Sequence, residues 1–215
     1  MIEVENLQLN AGGRTVLRLA AWSTPPGRHT LVLGPSGSGK TTLLHALAGL
    51  RRPTAGRILI AGQDLARLGA AALDRFRGQT IGYVFQNLRL IQSLSVRDNL
   101  RLAQSLAGQT PDPTHIDDLL ERLHISHLAN RLPRQASQGE SQRAAVARAL
   151  AARPRLVFAD EPTSALDDSA AQRVAGLLRA EADACGATLV IATHDQRLKD
   201  LFPDRLELAA PEAAP

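Results

Sequence analysis

The sequence predicts a layered α/β fold with a mainly parallel sheet, and three observations point to it. Short runs of strand-forming apolar residues recur at 30–33, 80–85, 156–159 and 188–193, and helical patterns lie between them. These runs are apolar at nearly every position, as strands buried on both faces must be when helices cover each side of a parallel sheet. A glycine-rich segment, 34–39, stands directly between the first run and a helical pattern. With 215 residues the chain fits one domain, or one domain with an inserted subdomain, and can bury a proper core.

Taken in order, residues 2–9 alternate (Ile2, Val4, then Leu7, Leu9) and read as a half-exposed strand. The run 30–33 is bounded by Pro25, Pro26 and Gly27 on one side and Gly34 on the other, and reads as a buried strand. From Lys40 to Leu50, the residues Leu43, Leu44, Leu47 and Leu50 have helical spacing, closed by Gly49 and Pro53. Strands follow at 57–61 and 80–85. Ser95, with Asp98 three residues on, opens a helix through 107, and a second helix, 116–123, follows the breaker stretch 109–114. This forms a helical insertion between two strand-bearing halves. Beyond Glu140 come a long Ala-rich helix to 152, a strand at 156–159, a helix at 170–184 and a strand at 188–193, before a tail from 209 that frays. There is no internal repeat.

Composition narrows the function. The chain is 44% hydrophobic and 21% charged, which suits a water-soluble globular protein. Its aromatic residues are four Phe, Tyr83 and Trp22, too few for a platform that stacks nucleic-acid bases. All but two of the 25 basic residues are arginines; the exceptions are Lys40 and Lys199. The net charge of +4 comes from arginines spread along the chain, with no basic block to favour nucleic acid. Cys185 stands alone, so no internal disulfide forms, and it reads as a small buried hydrophobe. The start MIEVENLQLN carries Glu3 and Glu5, unlike a signal peptide, and no apolar run approaches the roughly 18 residues of a membrane span. A cytoplasmic chain, reaching membranes only through a partner, is the expectation.

Two motifs carry chemistry on their own. The segment Gly34, Pro35, Ser36, Gly37, Ser38, Gly39, Lys40, Thr41 satisfies the phosphate-loop pattern between a strand and a helix. Its glycines let backbone N–H groups curl around phosphate oxygens, and the helix adds its positive N-terminal end. Lys40 reaches the β and γ phosphates, Thr41 offers a hydroxyl to Mg²⁺, and Thr42 assists at the α phosphate. The second motif, 156–161, is four apolar residues leading to Asp160 and Glu161 at the C-terminal end of a strand, where open α/β sheets bind ligands. Asp160 would orient the Mg²⁺ shell and Glu161 would polarise the attacking water. A cluster of His115, His124 and His127 in the insertion has no Cys or carboxylate partner at convincing ligand spacing, so these read as surface histidines.

Together with Gln86 after TIGYVF, the stretch 136–140 (ASQGE) followed by SQRAAVARAL, the stretch 164–167 (SALD) and His194 after TLVIAT, these motifs resemble the nucleotide-binding subunits of ABC transporters over residues 2–208. The resemblance implies a single ATPase domain, 1–208, with a P-loop NTPase core (1–86 and 151–208) that includes an N-terminal antiparallel β region. The helical subdomain would span 87–150. It implies ATP and Mg²⁺ as ligands and a head-to-tail dimer, homomeric or heteromeric, with two ATP molecules between the subunits. Gln86 would touch Mg²⁺ and the lytic water, His194 the γ phosphate, and Asp167 the dimer interface. Ser137 and Gly139 would meet the partner's nucleotide. Permease subunits are implied as membrane partners, docking in a groove formed by the Gln86 loop and 87–94, which places the chain on the inner face of the membrane. Within the family it looks most similar to the branch serving lipoprotein release, macrolide-type efflux and cell division.

The sequence also departs from the family. The usual LSGGQ is ASQGE here, with Ala136 for an apolar anchor and Gln138 for a glycine. The aromatic that stacks on adenine in the family should fall near Ala11, ahead of Gly12 and Gly13, yet no aromatic occurs before Trp22, which aligns with a core strand position. These departures keep open a weakly hydrolysing regulatory module, and the basic charge keeps open an ABC-type ATPase acting on nucleic acid or ribosomes. Asp168 and Lys199 carry no assigned role.

Overall fold

The computed structural model describes residues 1–163 and 168–209, so Asp167, within 164–167, and the tail from 210 onward lie outside the described residues. Strand β1 (Ile2–Ala11) runs antiparallel to β2 (Arg14–Thr24), and Ala11 pairs with Arg14 across a two-residue turn. That turn is Gly12-Gly13, with φ of 57° and 78°. Two successive left-handed residues match the twist of a hairpin, and glycine adopts them without steric cost. With β4 (Ala55–Ile60) and the short β5 (Gln63–Asp64), these strands make a four-stranded antiparallel sheet ordered β2-β1-β4-β5.

The second sheet holds β6 (Ile81–Val84), β7 (Leu156–Asp160), β8 (Thr188–Thr193), β3 (Thr30–Leu33) and β9 (Asp204–Glu207), in that order and parallel throughout. Every residue of β3, β6, β7 and β8 is buried, which is why these four read as continuous apolar runs. Helix α1 (Lys40–Leu47) packs against the face that also meets the antiparallel sheet, with Leu43, Leu44 and Leu47 beside Ile2, Leu9, Ile58 and Phe158. Trp22 packs on this same core, as its strand register opposite Val4 requires.

The other face of the parallel sheet is covered by α3 (Val96–Leu106), α4 (Pro113–Arg122), α5 (Gln138–Leu150) and α6 (Asp168–Ala184). Leu100, Leu119, Val146 and Leu178 bury there against Leu31, Val157 and Leu189. Strand β2 had no strand reading of its own in the sequence, and three further elements differ from expectation. Helix α2 (Ala70–Thr80) occupies a stretch with no helical reading; of its eleven residues only Thr80 is buried, and Leu73 and Phe76 pack only partly on the core, too narrow a stripe to detect. Strand β9 is four residues with alternating exposure at the sheet edge. Helix α1 stops at Leu47, short of Leu50, because Gly49 turns left-handed at φ 65°.

Candidate functional site

The loop between β3 and α1 is built by its glycines in two ways. Gly37 and Gly39 sit at φ 82° and 91°, where a side chain would be strained. Gly34 is needed for space instead, since a Cβ there would lie 2.5 Å from Ser38 Oγ and 2.9 Å from the Leu208 carbonyl oxygen. Ser38 itself turns inward, 2% exposed, and its N–H donates to the Pro35 carbonyl at 3.2 Å. Helix α1 begins at Lys40 with no side-chain cap and no acidic residue in its first turn. Its N-terminal N–H groups and positive dipole end are therefore left for an anion.

Lys40 is 5% exposed and its ammonium donates to the carbonyls of Gly34 (2.8 Å) and Pro35 (3.0 Å), with Glu161 Oε1 3.4 Å away. The Thr41 hydroxyl donates to Asp160 Oδ1 at 3.0 Å. Burial pushes the Asp160 carboxyl above its usual pKa, opposed by the Thr41 hydrogen bond. Glu161 follows at φ 47°, in a conformation that costs a non-glycine residue about 1 kcal/mol. Its N–H donates to the Ala192 carbonyl (2.8 Å), while Oε2 accepts from the Thr193 hydroxyl (3.1 Å) and lies 3.0 Å from His194 Nδ1. The strain is held by neighbours at the end of β8.

A cavity of about 470 Å³ opens at this point, lined by Ser36, Gly37 and the run 39–42 together with Val16, Gln86, Glu161 and His194. The structure thus gathers Lys40, Thr41, Thr42, Gln86, Glu161 and His194 from four separate segments around one space. Asp160 stands behind Thr41. Gly34, Pro35 and Ser38 form the supporting side of the loop. The chemistry fits a nucleotide triphosphate with a divalent cation: a cation side chain, an uncapped helix end, a hydroxyl paired with a carboxylate, and a second carboxylate facing the opening.

Ser137 and Gly139 lie outside that cavity. Ser137 caps α5, accepting from the Glu140 N–H at 3.3 Å, while its own N–H donates to Glu140 Oε2 at 2.8 Å and its hydroxyl donates there at 2.7 Å. His127 Nε2 lies 2.8 Å from the other Glu140 oxygen. These hydrogen bonds, from the Ser137 side chain first, lower the Glu140 pKa to about 2. Gly139 has only ordinary space around it, 3.7 Å from Arg143, so nothing among the described residues demands glycine there.

A larger concavity of about 850 Å³ lies between α2, α3, α5 and the segment after β6. The three most exposed large apolar side chains among the described residues, Leu50, Ile91 and Leu106, all line it. Phe85 forms its floor, stacked on Tyr83, with the guanidinium groups of Arg89 and Arg148 5.2 and 5.9 Å from its ring centre.

A family model described as "ABC transporter" matches residues 17–164. The chain belongs to the ABC transporter family. This ABC cassette is 41% identical over 198 residues to the lipoprotein-releasing system ATP-binding protein LolD 1 of Rhodopirellula baltica, covering 90% of this chain and 86% of that one. It is 44% identical over 185 residues to LolD of Anaeromyxobacter dehalogenans, covering 85% and 77%. It is 39% identical to a putative ABC transporter ATP-binding protein of Mycoplasma pneumoniae, an MG065 homolog, covering 80% of this chain and 37% of that longer one. Among solved structures it is similar to the dimeric bacterial ABC transporter cassette MJ0796 (TM-score 0.87, 30% identity, 97% of this chain and 94% of that one) and to its post-hydrolysis state bound to ADP and Pi (TM-score 0.86, 29% identity, the same coverage). ATP binding and hydrolysis are the activity of this family, and the fold is that of its cassettes.

Sequence reasoning missed Val16, which lines the cavity, Thr193, whose hydroxyl donates to Glu161, and Gln142, whose amide reaches the Pro162 carbonyl. Thr193 ends a strand beside Asp160 and Glu161, a signal available once β7 and β8 are paired; Val16 and Gln142 have no local signature. No helix among the described residues is long and apolar enough to cross a membrane.

Proposed function

We propose that this cassette hydrolyses ATP at a head-to-tail dimer interface and thereby drives permease subunits that release lipoproteins or export envelope-related cargo. The observation that carries the proposal is the convergence of Lys40, Thr41, Gln86, Glu161 and His194 on one cavity beneath an uncapped helix end. Thr41, Asp160 and Gln86 would hold Mg²⁺, which supplies charge neutralisation on the phosphate oxygens. Lys40 exchanges its loop carbonyls for the β and γ phosphates. Glu161, fixed by Thr193 and His194, orients or deprotonates the water that attacks the γ phosphorus, and ADP with phosphate leaves. Ser137 and Gly139 act on the nucleotide of the second subunit, and Asp167 belongs to the interface between them. In that dimer residues 1–86 and 151–208 work as the core and 87–150 as the helical subdomain. The groove bearing Leu50, Phe85, Arg89, Ile91 and Leu106 receives a permease segment on the inner face of the membrane.

The test is turnover of the complex with its membrane partner, wild type against Glu161→Gln. Loss in the variant supports the reading; turnover that survives overturns the base assignment. The LolD relatives support the lipoprotein branch, and the membrane protein that copurifies with the chain decides it. One observation favours a second reading, a slowly hydrolysing regulatory module: Val16, with no ring, is the apolar wall beside the phosphate loop.

A further inference from the structure

Helix α5 has two functional ends in the proposed dimer. Its first turn, capped by Ser137, faces outward for the partner's nucleotide. Five residues on, Gln142 turns the opposite way, 8% exposed, and its side-chain amide donates to the carbonyl oxygen of Pro162. Pro162 is the residue after Glu161. A proline has no N–H, so its carbonyl is the one main-chain group through which this point can be held. The flanks are held separately: Glu161 by its N–H on the Ala192 carbonyl (2.8 Å), and Thr163 by its hydroxyl on Asp195 Oδ2 (3.3 Å). Glu161 adopts a left-handed backbone that does not persist without such restraint.

We infer that Gln142 is a positioning residue: it fixes the Glu161 backbone from α5, and so ties each subunit's own base to the engagement of its Ser137 by the other subunit's nucleotide. A helix is stiff over one and a half turns, so displacement of its first turn toward an anion moves Gln142 and pulls on Pro162. The inference rests on the reading of Glu161 and of the head-to-tail dimer given above. It goes beyond that reading by naming the contact through which occupancy of one site adjusts the geometry of the other.

The experiment compares wild type, Glu161→Gln, Gln142→Ala and Gln142→Met in the assembled complex, reading kcat, KM for ATP, cooperativity in ATP and thermal midpoint. Methionine keeps the length and volume of glutamine but cannot donate. Both Gln142 variants are expected to lower kcat on the order of 10- to 100-fold, as misplacement of a reacting group by about 1 Å does. KM stays within about threefold by the same reasoning, since the phosphate loop is untouched, and cooperativity in ATP is lost. Wild-type kcat and cooperativity in both variants, or recovery of kcat by methionine alone, overturns the inference, the latter by reducing Gln142 to a space filler. A fall in kcat that merely tracks a lowered thermal midpoint overturns it as well. Turnover that survives Glu161→Gln sinks the base assignment and this inference together, whereas its loss there with intact Gln142 variants sinks this inference alone.

Discussion

The N-termini of α1 and α5 were both read as anion sites, yet they are built in opposite ways. Helix α1 begins at a left-handed glycine with no cap and no acidic residue, beside a lysine. Helix α5 begins at a serine locked in a reciprocal capping box with Glu140, whose ionised carboxylate already sits on the dipole and is backed by His127. The first end is open to a phosphate within one chain. The second satisfies itself, and a phosphate reaching it competes with an internal carboxylate. In the proposed dimer, nucleotide would bind first at α1, and α5 would close over it only when the gain exceeds that of the capping box.

The largest expected break in this contrast is at the open end. Glu161→Gln lowers turnover by about 10²- to 10⁴-fold while leaving ATP bound, checked by single-turnover hydrolysis and nucleotide binding side by side. Gly34→Ala drives a Cβ into Ser38 and the Leu208 carbonyl, and is expected to cost about 1–3 kcal/mol in urea unfolding, more than an exposed glycine such as Gly139 would. At the closed end, Ser137→Ala removes the cap and costs about 1 kcal/mol, with weaker ATP-driven dimerisation by sedimentation. Glu140→Gln removes the competing charge; dimerisation in ATP tightens by a few-fold, and unchanged or weaker association would contradict the competition. The smallest effect is in pH. The Glu140 pKa is depressed to about 2 in the folded chain, so the stability it contributes is complete above the unfolded carboxyl value of 4.5. That contribution fades as pH falls through the window from 4.5 to about 2, and Glu140→Gln abolishes this part of the acid dependence.

How much of this was legible follows from range. The Ser95 cap with Asp98, the glycine loop and the acidic end of β7 are local patterns of a few residues, and each stands where the sequence placed it. Strand β2 and helix α2 were missed because their exposed faces carry no clean period, and β9 because an edge strand of four residues gives too short a signal. Within the site, Gln86 and His194 were found through a resemblance; their approach to Lys40 depends on strand order, which no local pattern encodes. Gln142 lies in an ordinary helical run, and its contact is with a residue twenty positions on. Lys199, given no role from the sequence, stands 3.4 Å from Glu207 on β9, a strand the sequence did not reveal.

The scarcity of aromatic rings has an optical consequence. The chain holds one tryptophan, on β2 of the antiparallel sheet, and one tyrosine, on β6 between the large groove and Asp160. Burial, and then the neighbouring Asp160, push the Tyr83 phenol far above its usual pKa, so it stays protonated at any working pH. Its hydroxyl has no hydrogen-bond partner among the described residues. Light absorbed by Tyr83 and emitted by Trp22 therefore reports the separation of the two sheets without any label.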